Sequence, residues 1–203
     1  PTSWGMARVL DQANAAQAKY GDPASPHYIE NYNVIAATNG AGFNMQTGET
    51  QGALVMNGTV YHAASDRPYF GVTKDGQAVI STGELTDDIV EAVGGLCLLV
   101  QNGEVTQDAY TNGYGAILNP RTAVGIKADG TVLMYVCDGR QAPYSIGQYF
   151  TDLAHSLVAL GCETALCLDG GGSTGMWVSG AGMINHKDGS WRAVKSTLGF
   201  FEK

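Results

Sequence analysis

A chain of 203 residues with 44% hydrophobic side chains can bury a sizeable core, which excludes intrinsic disorder. Its formal net charge of -8 excludes nonspecific affinity for nucleic acid or anionic lipid, both of which reward basic surfaces. No stretch approaches the ~20 apolar residues that insert across a bilayer, and 28 glycines against 15% charged residues point to many turns and short strands.

The chain opens at Pro1 with no initiator Met and no signal peptide, as expected of a mature or trimmed piece. Residues 3–19 read as a helix: Ser3 can cap it, Met6, Val9, Leu10 and Ala13 recur at helical spacing, and Gly21 and Pro23 stop it. Residues 26–33 form a polar, aromatic approach to a buried strand over 34–38. Four hairpins are then expected around Asn57-Gly58, Asp75-Gly76, Asn102-Gly103 and Asp129-Gly130, because these dipeptides supply the positive φ that tight turns need. Residues 87–93 read as a short helix closed by Gly94-Gly95. A longer one is expected over 145–160, where Ile146, Tyr149, Phe150, Leu153, Leu157 and Leu160 make a single apolar stripe ended by Gly161. A short strand leads from Ala165 into Asp169, and the final third reads as three short strands with turns at Gly180 and Gly189. With no linker in sight, the expectation is one α+β domain over 1–203. An N-terminal helix and approach occupy 1–33. The core, 34–203, is a mixed, mostly antiparallel sheet built from hairpins and packed with two or three helices.

The chemistry concentrates where strands end. Leu168-Asp169-Gly170-Gly171-Gly172-Ser173 delivers a carboxylate into three glycines and a hydroxyl. Bare amides in such a turn can cradle an anion, although a loop capped by its own aspartate is the other reading. The run is not a P-loop, since Gly172 stands where lysine is needed before Ser173. Asn39-Gly40 ends the first strand, either as a turn or with an amide offered to a sugar. Asp138 and Arg140 follow a long strand, as a phosphate-binding pair or as a surface ion pair, and Arg121 before another strand raises the same question. The four cysteines form no Cys-x-x-Cys pair, three of them lie in apolar runs, and the four histidines show no metal-binding spacing.

Taken in order, Thr38-Asn39-Gly40-Ala41-Gly42-Phe43, Arg121 to Ile126, Asp138-Gly139-Arg140 and Leu168 to Ser173 resemble the signature blocks of the phosphodiester glycosidases, over about residues 34–201. Ala41 replaces a glycine of the pattern, Asn44 stands where a second aromatic is expected, and Asn185-His186-Lys187-Asp188 stands where the family often reads Asn-Arg-Pro-Ser. The resemblance implies hydrolysis of a sugar-1-phosphodiester between the anomeric carbon and the phosphate oxygen. Asp169 and Asp138 would be the catalytic carboxylates. Arg121 and Arg140 would hold the phosphate with the amides of Gly170, Gly171 and Gly172, and Asn39, Gly40, Ser173 and Asn185 would bind the sugar. No cofactor is required, although two acids beside a phosphate also suit a divalent cation. The partner is a sugar-1-phosphodiester or related phosphorylated glycan, handled outside the cell or in its envelope. The rival expectations are a noncatalytic carbohydrate-binding module of the envelope and an enzyme that transfers phosphosugars in exopolysaccharide assembly.

Overall fold

The computed structural model describes residues 6–187 and 189–202. Helix α1 (Val9–Tyr20) precedes β1 (Asn33–Asn39). Four hairpins follow where the turn dipeptides put them: β2 (Leu54–Met56) with β3 (Thr59–His62), β4 (Tyr69–Thr73) with β5 (Ala78–Ser81), β7 (Cys97–Gln101) with β8 (Glu104–Val105), and β9 (Arg121–Lys127) with β10 (Val132–Cys137). At the first and third turns both residues take positive φ, Asn57 at 49° and Gly58 at 71°, Asn102 at 54° and Gly103 at 74°, the hand that matches strand twist. Strand β6 (Ile89–Gly94) lies between the first two hairpins and the third, and the short helix α2 (Gln107–Thr111) follows β8. Helix α3 (Phe150–Ala159), β11 (Cys162–Cys167), β12 (Met176–Val178), β13 (Gly182–Met183) and β14 (Thr197–Glu202) complete the order.

The strands build three antiparallel sheets, in the orders β13-β12-β1-β14, β10-β9-β11-β7-β8 and β3-β2-β6-β4-β5. The fold is therefore mixed α+β and mostly β. The second sheet is central because its side chains alternate. Ala123, Ala165 and Cys167 pack on one face against Phe150, Leu153 and Leu157 of α3. Val124, Leu166 and Leu168 pack on the other against Phe70 and Val93 of the third sheet. Burying each of those large side chains contributes about 1.5–3 kcal/mol. Helix α1 covers the first sheet through Val9 and Ala13, which meet Val34 and Val194. All four cysteines are free. Burial pushes the Cys167 thiol up to about 12 and the Cys97 thiol higher still, so neither is a nucleophile at neutral pH.

Three expectations about elements are corrected. Helix α1 starts at Val9, with Arg8 at the N-cap position bonded through Nε to Asp11 at 2.7 Å; the proposed cap Ser3 lies outside the described residues. Residues 87–93 do not form a helix. Ile89 to Gly94 instead fill the centre of the third sheet between β2 and β4, because a seven-residue run cannot recover the cost of helix nucleation while two strand edges stand open beside it. Helix α3 begins at Phe150 rather than Ser145, since Gly147 takes φ 97° and Gln148 bridges to Asn119, which leaves Ile146 exposed.

Candidate active site

The ends of β1, β10 and β11 and the start of β9 meet at one edge of the first two sheets. Backbone bonds stitch the meeting point: Asp169 N–H donates to Gly40 O at 3.0 Å, Leu168 N–H to Thr122 O at 2.9 Å, and Gly171 N–H to Pro120 O at 2.8 Å. Asn39 is the hub. It is 0% exposed; its Nδ2 donates to Asp169 O at 2.7 Å, and its Oδ1 accepts from Thr122 Oγ1 at 2.7 Å and from the Gly175 N–H at 3.2 Å. Fully buried and bonded through both its amide oxygen and nitrogen, this side chain ties the two sheets together. Gly40 is equally enclosed, because a Cβ there would stand 2.6 Å from Ser196 Oγ.

Asp169 projects from this floor. One oxygen accepts the Gly170 N–H at 2.9 Å. Burial raises its pKa above the ordinary aspartate value, against the opposing pull of the Ser173 hydroxyl, the Gly170 amide and the Arg192 charge. The Ser173 hydroxyl lies close enough to favour the charged carboxylate without forming a well-directed hydrogen bond, and it is buried. Of the three glycine amides, those of Gly170 and Gly171 are used internally. Of the three amides expected to cradle an anion, two are therefore already committed within the fold.

The expected cations divide. Arg140 takes φ 61°, a left-handed conformation costing roughly 1–2 kcal/mol in a non-glycine residue. Its Nε donates to Asn119 Oδ1 at 2.9 Å, and Nη2 lies 2.9 Å from where a Cβ on Gly171 would stand. Arg121 sits beside the same turn but points the other way. Only 3% exposed, it donates to the carbonyls of Gln148 at 2.8 Å and Tyr114 at 3.1 Å and to that of Ile117, with its guanidinium carbon 4.4 Å from the Phe150 ring centroid. Burial lowers its pKa. This side chain anchors two connecting segments, the one before β9 and the one before α3, and points away from the turn.

Asp138 and Asn185 are likewise tied down. Asp138 accepts from Asn185 Nδ2 at 3.1 Å, from the His186 N–H at 3.1 and 3.0 Å, and from the Tyr144 hydroxyl at 3.1 Å. Asn185 Oδ1 accepts the Met176 N–H at 2.9 Å. Both residues brace the far wall through these bonds.

That wall, residues 184–187 and 189–192, carries two cations that sequence reasoning does not assign to the site. The Lys187 ammonium donates to the Gly172 carbonyl and lies 5.8 Å from the Trp191 ring centroid. The Arg192 guanidinium lies where a Cβ on Gly172 would go. The one available signal is the closeness of Lys187, Arg192 and Lys195, three of the 11 basic residues of an acidic chain. No cluster of three or more His, Cys, Asp or Glu side chains suited to a metal occurs among the described residues. A cavity of about 520 Å³ opens elsewhere, between Arg67, Leu96 and Tyr114, and shares no lining residue with the glycine turn.

The raised Asp169 pKa has a worked sign. A carboxyl that holds its proton more tightly when folded leaves the native state with more bound protons than the unfolded chain. Stability therefore falls as pH rises from the usual aspartate value through the raised one, and it is regained on acidification across the same window. If the charged form is the working one, activity runs opposite to stability. The acid limb of kcat/KM is expected above the usual aspartate value, as a pH–rate series would show.

A family model described as phosphodiester glycosidase matches residues 32–201. Among known proteins the chain is 30% identical over 177 residues to the SPbeta prophage-derived uncharacterized protein YomE of Bacillus subtilis, covering 81% of this chain and 27% of that protein. It is 27% identical over 165 residues to the mouse N-acetylglucosamine-1-phosphodiester alpha-N-acetylglucosaminidase, covering 71% of this chain and 32% of that one. The chain thus spans about a third or less of the length of these relatives. Among solved structures, the pro-peptide-inhibited catalytic domain of the zebrafish N-acetylglucosamine-1-phosphodiester alpha-N-acetylglucosaminidase superposes with a TM-score of 0.76 at 22% identity, over 98% of this chain and 68% of that one. A hypothetical protein from Synechocystis superposes at 0.72 with 13% identity, over 98% and 54% of the respective chains. Both superpositions speak for a shared fold.

Proposed function

The chain belongs to the phosphodiester glycosidase family, and we propose that it hydrolyses a sugar-1-phosphodiester at the bond between the anomeric carbon and the phosphate oxygen. The observation that carries this reading is the convergence of Asp169, Arg140 and Arg192 on one glycine turn. Arg140 stands over Gly171 and Arg192 over Gly172, so a phosphate resting on the turn meets a guanidinium on each side. Charge that develops on the leaving phosphate is met by preorganised donors, and such donors are worth more where water is displaced. Asp169 faces the anomeric carbon as base or nucleophile. The C–O bond breaks, the phosphate monoester leaves with the electron pair, and water supplies the new sugar hydroxyl. Asp138 acts as a brace rather than a second acid, because its oxygens already carry three backbone or side-chain partners.

Synthetic sugar-1-phosphodiesters assayed in ¹⁸O-labelled water test the reading. Label in the released sugar is the expected result. Label in the phosphate would make the protein a phosphodiesterase, binding without product would make it a carbohydrate-binding module, and turnover only with an acceptor sugar would make it a transferase.

A second expectation arises from the crowding at Gly172. Gly172→Ala places a methyl group against the end of the Arg192 side chain, which can swing away at little cost to the fold. The expected outcome is a fall in kcat/KM of about tenfold to a hundredfold, as for one displaced charged contact, with the melting temperature unchanged in calorimetry.

A further inference from the structure

The cavity of about 520 Å³ that opens beside Arg67 falls in the size range of small-ligand sites, roughly 300–1,000 Å³. Strand pairing places it. Cys97 at the start of β7 stands opposite Cys167 at the end of β11, and the Leu96 N–H donates to Cys167 O at 2.7 Å. Leu96 lines the cavity, which therefore opens at the sheet edge that carries Asp169, one strand over. Its walls are tied to that sheet. The Gly95 N–H donates to Pro68 O at 2.7 Å, Asn112 Nδ2 donates to Leu96 O at 3.3 Å, and Asp108 accepts the Leu98 N–H at 3.0 Å and Asn112 Nδ2 at 3.2 Å.

Arg67 is the odd group in this wall. It is half-buried, with its Cβ and Cδ lying 3.7 and 3.8 Å from where a Cβ on Gly52 would stand. Its backbone N–H donates to Ser65 Oγ at 3.3 Å, but its guanidinium has no partner among the described residues. A partly desolvated cation calls for an anion, and a carboxylate matches the guanidinium fork with two parallel bonds. The neighbouring charges narrow the choice. Asp66 and Asp108 line the same cavity, so repulsion favours a singly charged carboxylate over a doubly charged phosphate. Asp108 spends its oxygens on the fold, whereas Asp66 is exposed and accepts no hydrogen bond among the described residues, which leaves it for hydroxyl groups.

The rest of the wall suits a sugar ring. Tyr114 is 59% exposed, yet its N–H donates to Asn112 Oδ1 at 3.1 Å and its carbonyl accepts from Arg121 at 3.1 Å, so its backbone is fixed. A pyranose lays a face of C–H bonds on such an aromatic plane. We propose that this cavity is a second saccharide site that takes a uronic acid residue. The carboxylate rests on Arg67, the hydroxyls on Asp66 and the C–H face on Tyr114. The site is separate from the glycine turn and independent of the hydrolytic reading; occupied, it holds an acidic glycan beside the edge that carries Asp169.

Isothermal titration calorimetry with the methyl glycoside of glucuronic acid tests the proposal, with methyl glucoside and acetate as comparison ligands. The glucuronide is expected to bind about tenfold more tightly than either, and Arg67→Ala to weaken it about tenfold or more, as for one lost charge-assisted contact. Arg140→Ala, at the glycine turn, is expected to leave that affinity unchanged. Tyr114→Ala removes an exposed ring and carries the test if Arg67→Ala does not fold; it should weaken the glucuronide severalfold and leave acetate unaffected. No binding of the glucuronide overturns the proposal. So does a loss in Arg140→Ala equal to that in Arg67→Ala, or equal affinity for the glucoside or acetate. Displacement of the glucuronide by an equal concentration of glucose 6-phosphate would also overturn it, since the site would then prefer the dianion.

Discussion

Replacing Asp169 by asparagine is expected to lower kcat for a sugar-1-phosphodiester by about 10³-fold or more, since a group acting on the reacting carbon has no substitute in the floor around it. Asparagine has nearly the same shape, and its carbonyl oxygen can still accept the Gly170 N–H. The fold is therefore spared. Burial makes the ionised carboxylate costly where it stands, so the neutral amide is expected to leave the melting temperature level or slightly higher at neutral pH. Activity and stability should move in opposite directions in one variant. Turnover within a few fold of the parent would remove Asp169 from the chemistry, and a collapse in melting temperature would mark it as structural.

The second large effect separates the three arginines near the turn. Arg121→Ala strips hydrogen bonds from the carbonyls of Gln148, Tyr114 and Ile117 and opens space over Phe150. Buried acceptors left without donors cost about 1–3 kcal/mol each at worst, so three of them together cost roughly 3–5 kcal/mol. For a chain of this size that corresponds to a drop of roughly 10 °C in thermal midpoint. Arg140→Ala and Arg192→Ala are expected to do the reverse, holding the midpoint within a few degrees while kcat/KM falls about a hundredfold each, as for lost charge-assisted contacts to a phosphate. Differential scanning calorimetry beside steady-state kinetics on the three variants decides the matter. If Arg121→Ala kept its stability but lost activity, the phosphate would have to be reassigned to it.

What can be read from the chain alone divides along the range of the forces involved. Asn57-Gly58 and its three counterparts announce hairpins because positive φ is demanded within two residues of the dipeptide that supplies it. Strand β6 escapes such reading, because Ile89 to Gly94 becomes a strand only through β2 and β4, far off in sequence. The site shows the same division. Asp169 and the glycines stand out locally, and so does Arg140 after its strand. The inward roles of Asn39, Asp138 and Asn185 depend on partners 47 to 136 residues away. Arg121 turns in to carbonyls 4 to 27 residues away, and no spacing rule distinguishes a bracing polar group from a ligand-binding one. Arg192 carries no local motif at all, and only its fit against Gly172 reveals it.

The base of the cleft and its far wall are built by separate means. Asn39, Arg121 and the backbone bonds of Asp169 belong to the sheets, whereas residues 184–187 and 189–192, between β13 and β14, lean on Asp138, Met176 and Gly172 through polar bonds. Reactivity and recognition can thus diverge independently within this architecture. A chimera that receives the corresponding segment from a relative should keep its chemistry and exchange its taste in substrates, provided the incoming segment retains an amide at position 185 and a cation at 192.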